Sequence, residues 1–191
     1  MAGFGNYAAA LILLTFTHNT FAYDGRGLLN LMNAPITPEQ LIRAKARVHQ
    51  LVSLGAGVLA SLFCWLYVAP SASAGWVCVA IMGVLVVVPI VTTVGLWVSV
   101  QYPIKFDASL NRRERQPLLV SIAGFAGVLL GSIPLLIAVR FIQAGGALDS
   151  ALLTLIVAAL LVWFIHCKML VRISLAFSRR QSEVLSAITR V

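Results

Sequence analysis

Long stretches without charged residues restrict the fold of this chain more than any other feature of its sequence. Five mostly apolar segments lie near residues 3–22, 50–70, 76–100, 118–143 and 148–171. Each is close to or above the roughly 20 residues that a helix needs to cross a bilayer. Only 10% of the residues are charged, against about 25% in soluble domains. The sequence therefore predicts an all-α, polytopic membrane helix bundle with five transmembrane helices, within a domain that covers residues 1–177.

The positive charges are distributed unevenly between the predicted loops. Thirteen of the fourteen lysines and arginines lie in the segment 23–49, in the linker 101–117 or from residue 168 onwards. With five spans these three regions share one side of the membrane, and only Arg140 lies near the other side. Because cytoplasmic loops are enriched in Lys and Arg, we predict an N-terminus outside, a cytoplasmic C-terminus and a multi-pass location. The net charge of +8 then requires no nucleic-acid partner.

Residues 1–22 have a second interpretation, as a cleaved signal peptide that ends near Ala22. Two observations oppose it. No basic residue precedes the apolar run, although signal peptides begin with one. Cleavage would also leave the four basic residues of the segment 23–49 outside the cell, against the charge rule. We therefore expect residues 3–22 to form the first span.

The segment 23–49 has a pattern of its own. Leu28, Leu29, Leu31 and Met32 have the spacing of one to two turns of an amphipathic helix. Pro35 ends this helix, because the residue before a proline is disfavoured in the helical conformation. The apolar face fits a helix at the lipid headgroups, with basic neighbours on anionic lipid. It fits a docking element for a soluble partner equally well.

A second helix start follows at once. In Thr37-Pro38-Glu39-Gln40, Thr37 suits the N-cap and Pro38 the first helical position. Gln40 completes a capping box, and Glu39 favours the positive end of the helix dipole. We predict a helix that runs from here through the basic residues into the second span.

The segment "NTFAYDGRGLLNLMNAPITPEQLIRAK" resembles the first cytoplasmic loop of ABC-2 type transporter permeases, the membrane subunits of bacterial ABC exporters. The resemblance rests on Asn19, Asp24-Gly25-x-Gly27, the leucine-rich helix, Pro35-Ile36-Thr37 and Lys45. A second stretch, "WVSVQYPIKFD" from Trp97 to Asp107, is similar to the end of a later span in that family. The likeness extends to about Phe141. It implies a permease in the bacterial inner membrane.

The resemblance also implies partners. Residues 27–34 would act as a coupling helix on a separate ABC ATPase subunit, through Leu28, Leu29, Leu31, Met32 and Pro35, with Asp24 and Arg26 positioning it. A second membrane domain, as a homodimer or heterodimer partner, and membrane lipids are further expected partners. Family members have six spans and a cytoplasmic N-terminus, so the resemblance implies that the counterpart of their first span is absent from this sequence. The principal rival is a small membrane scaffold that binds lipid or another membrane protein without transport.

The sequence has no nucleotide-binding or catalytic motif. It lacks GxxxxGK[ST], HExxH and GxSxG, and its six acidic residues are scattered. We therefore expect no enzyme activity, no metal and no cofactor in this chain, with ATP bound by the partner subunit. His166 and Lys168 are predicted where the last span meets the cytoplasm, without a catalytic role.

Two further segments are predicted to make helix contacts. Gly124, Gly127 and Gly131 lie along one span, where small residues let helices approach closely in lipid. They fit an internal helix contact or a dimer seam. The basic tail 178–191 has Val184, Leu185 and Ile188 at helical spacing. Its apolar face suits the membrane surface or a partner.

Overall fold

The protein is all-helical. A computed structural model describes residues 3–17, 20–21, 24, 27–103 and 117–189, and these contain no strand. The helices are, in chain order, α1 (Phe4–Thr17), α2 (Gly27–Asn33), α3 (Pro38–Phe63), α4 (Ala74–Gln101), α5 (Leu118–Gln143), α6 (Leu148–Arg179) and α7 (Gln181–Thr189). A π-helical turn, Cys64–Val68, continues α3.

Four helices are long and apolar enough to cross a membrane: α3 with its π-helical turn, α4, α5 and α6. Their exposed leucines, valines and phenylalanines are typical of helices that face lipid rather than water. The chain is accordingly a multi-pass membrane protein. The remaining predicted span, the first in the chain, corresponds to α1, which has 14 residues. At about 1.5 Å per residue, α1 is shorter than the ~30 Å hydrocarbon core.

Helix α4 is the centre of the bundle. It packs against α1, α3, α5 and α6, and 61% of the residues in its most apolar stretch are buried. The corresponding share is 28% or less for the other three long helices. Its sequence explains this position, because α4 is apolar on every side and a helix of that kind belongs in an interior.

One end of the bundle is built differently from the rest, and we call it the basic end. Here the start of α3 and the ends of α4 and α6 form an apolar cluster with α2 and α7. Seven of its described residues are basic: Arg43, Lys45, Arg47, Lys168, Arg172, Arg179 and Arg180. Lys105, Arg112, Arg113 and Arg115 lie outside the described residues.

The predicted start of α3 is confirmed. Thr37 is the N-cap, its side chain accepts a hydrogen bond from the Gln40 backbone N–H at 3.2 Å, and the Gln40 side chain accepts one from the Thr37 N–H at 2.8 Å. Pro38 occupies the first helical position. The chain turn between Pro35 and Thr37 thus fixes where α3 begins and how α2 is attached to it.

Candidate functional site at the basic end

Helix α2 is anchored through one face only. Leu28 is completely buried in the apolar cluster of the basic end, and Met32 packs against the same cluster. Leu29 and Leu31 remain 40% and 36% exposed. Residues advance by about 100° per position on a helix, so four apolar residues over five positions cover too wide an arc to be buried together. Leu28 therefore holds α2 in place, while Leu29 and Leu31 are available on the surface.

A salt bridge attaches the chain before α2 to α3. Lys45 Nζ lies 2.6 Å from Asp24 Oδ2, and both side chains are mostly buried. The same ammonium group donates a hydrogen bond to the Thr20 carbonyl and lies 5.5 Å from the centre of the Phe21 ring. Phe21 in turn stacks on Phe177 of α6, with ring centres 4.8 Å apart. Asp24 thus attaches the chain before α2 to α3, and Arg26 lies outside the described residues.

A groove borders the exposed side of α2. Its volume is about 190 Å³, and its walls come from α2, the α2–α3 turn, the start of α3, the end of α6 and the start of α7. Leu31 and Ile36 lie at its edge, and Ile36 is 39% exposed. Pro35 is exposed beside it. The exposed apolar residues of α2 and its turn therefore surround a concave surface, into which a side chain of another protein could insert.

Helix α7 folds back onto the bundle. Val184 and Ile188 are buried in the apolar cluster that also contains Leu28. The predicted apolar face of the tail therefore occupies a third position, neither on the membrane surface nor on a partner, because the chain reverses after α6. Arg180 fixes the reversal: its Nη1 donates to the carbonyl and to the side-chain oxygen of Gln101 at 2.8 and 2.7 Å. No local feature of the sequence predicts that this arginine caps the C-terminus of α4.

A hydrogen-bonded network joins three helices further into the bundle. The Gln50 amide of α3 donates to His166 Nε2 of α6 at 2.7 Å, so the proton of the imidazole is on Nδ1. Nδ1 donates to the Thr93 hydroxyl of α4 at 2.6 Å, and Thr93 donates to the Pro89 carbonyl. Both nitrogens of His166 are thus engaged. We missed this network because only the tertiary structure brings positions 50, 93 and 166 together.

Pro89 explains a second contact in the same place. Proline has no N–H, so it frees the carbonyl four residues earlier, that of Leu85. The indole N–H of Trp163 on α6 donates to this carbonyl at 2.9 Å. A neighbouring helix thereby satisfies the backbone group that the proline released, as is required in lipid.

Apart from Asp24, whose Oδ2 is in the salt bridge with Lys45, three buried polar side chains have no hydrogen-bond partner within the part of the chain that the structure describes: Asn6, Ser53 and Thr92. Asn6 of α1 is 4% exposed, and it lies close to Gly83 of α4. Unsatisfied amides are costly in an apolar interior. Asn6 is therefore the most unusual polar residue of α1, and its burial was not predicted from the sequence.

The three predicted packing glycines are all buried within the chain. A Cβ at Gly127 would lie 3.4 Å from the Val94 side chain, and one at Gly131 would lie 2.8 Å from that of Val87. Both valines belong to α4. Gly127 and Gly131 therefore lie in the α4–α5 contact. Of the two alternatives from the sequence, an internal helix contact and a dimer seam, this arrangement is the first.

The described residues hold no group of three or more His, Cys, Asp or Glu side chains able to bind a metal ion. Comparison with protein-family models, curated proteins and solved structures finds no match for this chain. The case for a function therefore rests on the geometry described above. The basic end offers an anchored helix with exposed leucines beside a groove, which is an arrangement suited to binding another protein.

Proposed function

We propose that this protein is the membrane subunit, or part of one, of an ATP-driven exporter of the ABC-2 type. In this proposal α2 contacts a separate ATPase subunit and transmits its movement to the bundle. The basic end faces the cytoplasm of a bacterium, because Lys and Arg mark that side of the inner membrane. A second membrane domain completes the transporter.

The observation that carries the proposal is the way α2 is held. A coupling element needs a rigid attachment to the bundle and an exposed surface for its partner. Leu28 and the Asp24–Lys45 salt bridge supply the attachment. Leu29 and Leu31 supply the surface. Because α3 continues from this site into the bundle, a force on α2 reaches a membrane helix over one short turn.

The orientation with five spans requires α1 to cross the membrane together with flanking residues. Two features support this part of the proposal. Ala9 and Leu13 of α1 are completely buried in a cluster with valines of α4. Gly5 approaches so closely to α3 that a Cβ there would collide with Ser61 and the Gly57 carbonyl. Such close packing between small residues is common for helices inside a bilayer.

The test is co-purification of the tagged protein in mild detergent, with Leu29→Asp/Leu31→Asp beside the wild type. We expect the wild type to retain a protein that mass spectrometry identifies by its Walker A sequence. Leu29 and Leu31 are about two-fifths exposed, so burying the exposed part of each contributes about 0.6–1.2 kcal/mol. The double variant should therefore bind at least about tenfold more weakly. Leu28 is left unchanged because a charge at a buried position would unfold α2.

The matched control is Asn30→Asp/Asn33→Asp, which adds two charges to the exposed side of α2 without removing a leucine. It should retain the ATPase. Loss of the ATPase in both variants would point to charge repulsion rather than leucine contacts. Recovery of no ATPase by folded wild type would reject the exporter proposal in favour of the membrane scaffold.

A further inference from the structure

A second groove, of about 180 Å³, runs between α3 and α6 at the basic end. Arg43 and Arg47 lie one turn apart on its α3 wall, and Leu170 lies on the α6 wall. The hydrogen-bonded pair of Gln50 and His166 also lines it. These two side chains are 6% and 3% exposed. The groove therefore combines two cationic side chains with a preformed, rigid interior.

The charges of this groove are only partly neutralised. Arg47 makes no ion pair or hydrogen bond with any residue that the structure describes. Arg43 pairs with Glu39 one turn earlier, but both side chains are more than two-fifths exposed. Exposed pairs of this kind are weak, so Arg43 remains able to bind another anion. Two arginines against one glutamate leave the site with a net positive charge.

The level of the groove in the bilayer favours a lipid as the ligand. Leu51, one turn after Arg47 on α3, is 71% exposed, and Leu160 on α6 is 68% exposed. These residues face the bilayer, which places the arginines at the level of the headgroups, where long cationic side chains are favoured. Arginine binds phosphate oxygens through two parallel hydrogen bonds.

We propose that the groove between α3 and α6 binds an anionic phospholipid, with its phosphate at Arg43 and Arg47 and an acyl chain along the Leu170 side. A zwitterionic lipid fits less well, because its ammonium group meets a site that is already positive. This proposal does not depend on the exporter function. The site needs no partner protein, because all the residues that line it belong to this chain.

The experiment uses the full chain in detergent, titrated with phosphatidylglycerol or with phosphatidylcholine of the same acyl chains. Native mass spectrometry measures bound lipid. We expect the wild type to retain phosphatidylglycerol preferentially, and Arg43→Gln/Arg47→Gln to weaken this binding about tenfold or more. Arg43→Lys/Arg47→Lys should be intermediate, since lysine keeps the charge but loses the planar geometry. If the glutamine variant fails to fold, the lysine variant still tests the proposal.

The matched control is Arg172→Gln/Arg179→Gln, which removes two exposed charges from α6 at the same end of the bundle. It should bind phosphatidylglycerol as the wild type does. An equal loss in this control would show that diffuse charge, rather than the groove, attracts the lipid. Equal binding of both lipids, or competition by soluble glycerol phosphate at the same concentration, would also overturn the proposal.

Discussion

Gly131 and Gly127 should respond in opposite ways to the same substitution. At Gly131 an added methyl group lies 2.8 Å from Val87 Cγ2 and 3.1 Å from Val87 Cα. Non-bonded carbons prefer about 3.5–4.0 Å, so α4 and α5 must separate locally by several tenths of an ångström. At Gly127 the nearest atom, Val94 Cγ2, is at 3.4 Å, which is close to an ordinary contact.

The magnitude follows from two terms. Replacing glycine by alanine within a helix favours the helix by about 0.8–1.0 kcal/mol at either position. Overpacking costs about 1–3 kcal/mol, and only Gly131→Ala incurs it. We therefore expect Gly131→Ala to be about 1–3 kcal/mol less stable than Gly127→Ala. At about 2–4 °C per kcal/mol for a chain of this size, the melting temperatures should differ by several degrees.

The melting temperatures are measured by heating the protein in detergent and determining the folded fraction by size-exclusion chromatography. A double-mutant cycle with Val87→Ala adds a check, because removing Cγ2 should relieve part of the clash at Gly131 and leave the backbone contact. Equal melting temperatures for the two alanine variants would refute the reasoning. So would a Gly131→Ala variant more stable than the wild type.

Two further variants test polar contacts of the bundle. Trp163→Phe keeps an aromatic ring but leaves the freed Leu85 carbonyl without its donor, so we expect a loss of about 1–3 kcal/mol, measured by thermal unfolding. Lys45→Met leaves Asp24 as an unpaired, largely buried carboxylate. It should cost about 1–3 kcal/mol, between the values for exposed and buried pairs, and speed amide hydrogen exchange in α2.

Each of these variants has a control on the same chain. Trp97→Phe changes a tryptophan that is 40% exposed, and it should leave the melting temperature nearly unchanged. Arg43→Met breaks the exposed pair with Glu39 and should cost less than about 1 kcal/mol. If a control destabilised the protein as much as its partner variant, the polar contact would not be the cause.

Local signals in the sequence were sufficient for some elements. The capping box at Thr37 was predicted correctly because its donors and acceptors lie within four residues. The bounds of α5 coincide with the predicted span 118–143, because Pro117 precedes its start and Gly145-Gly146 follow shortly after its end. Helix α6 extends beyond the predicted span: the apolar run ends near residue 171, but the helix continues to Arg179. Hydropathy reports where lipid ends, and a helix is free to continue into water.

Contacts between distant residues set the limit of prediction. Gln50 and His166 are 116 positions apart, and nothing local indicates that they form a pair. The same limit applies to α2. Its helical spacing predicted an apolar face, but it did not predict which leucines of that face are buried. Leu28 is buried because the start of α3, the ends of α4 and α6 and helix α7 share one apolar cluster with it. A long-range arrangement decides which leucines remain available to a partner.

The hydrogen bonds around Pro89 also determine which parts of the bundle can move. Trp163 and His166 attach α6 to α4 at two heights, and His166 extends the attachment to α3. Rotation of α6 about its axis would break all of these bonds at once. Among the described residues no side-chain hydrogen bond links α5 to the other helices. Its contact with α4 is apolar, with Gly127 and Gly131 against valines and Leu135 in one cluster with Val79 and Ala80. We therefore expect α3, α4 and α6 to move as one rigid body, and we expect α5 to be the helix that slides against it.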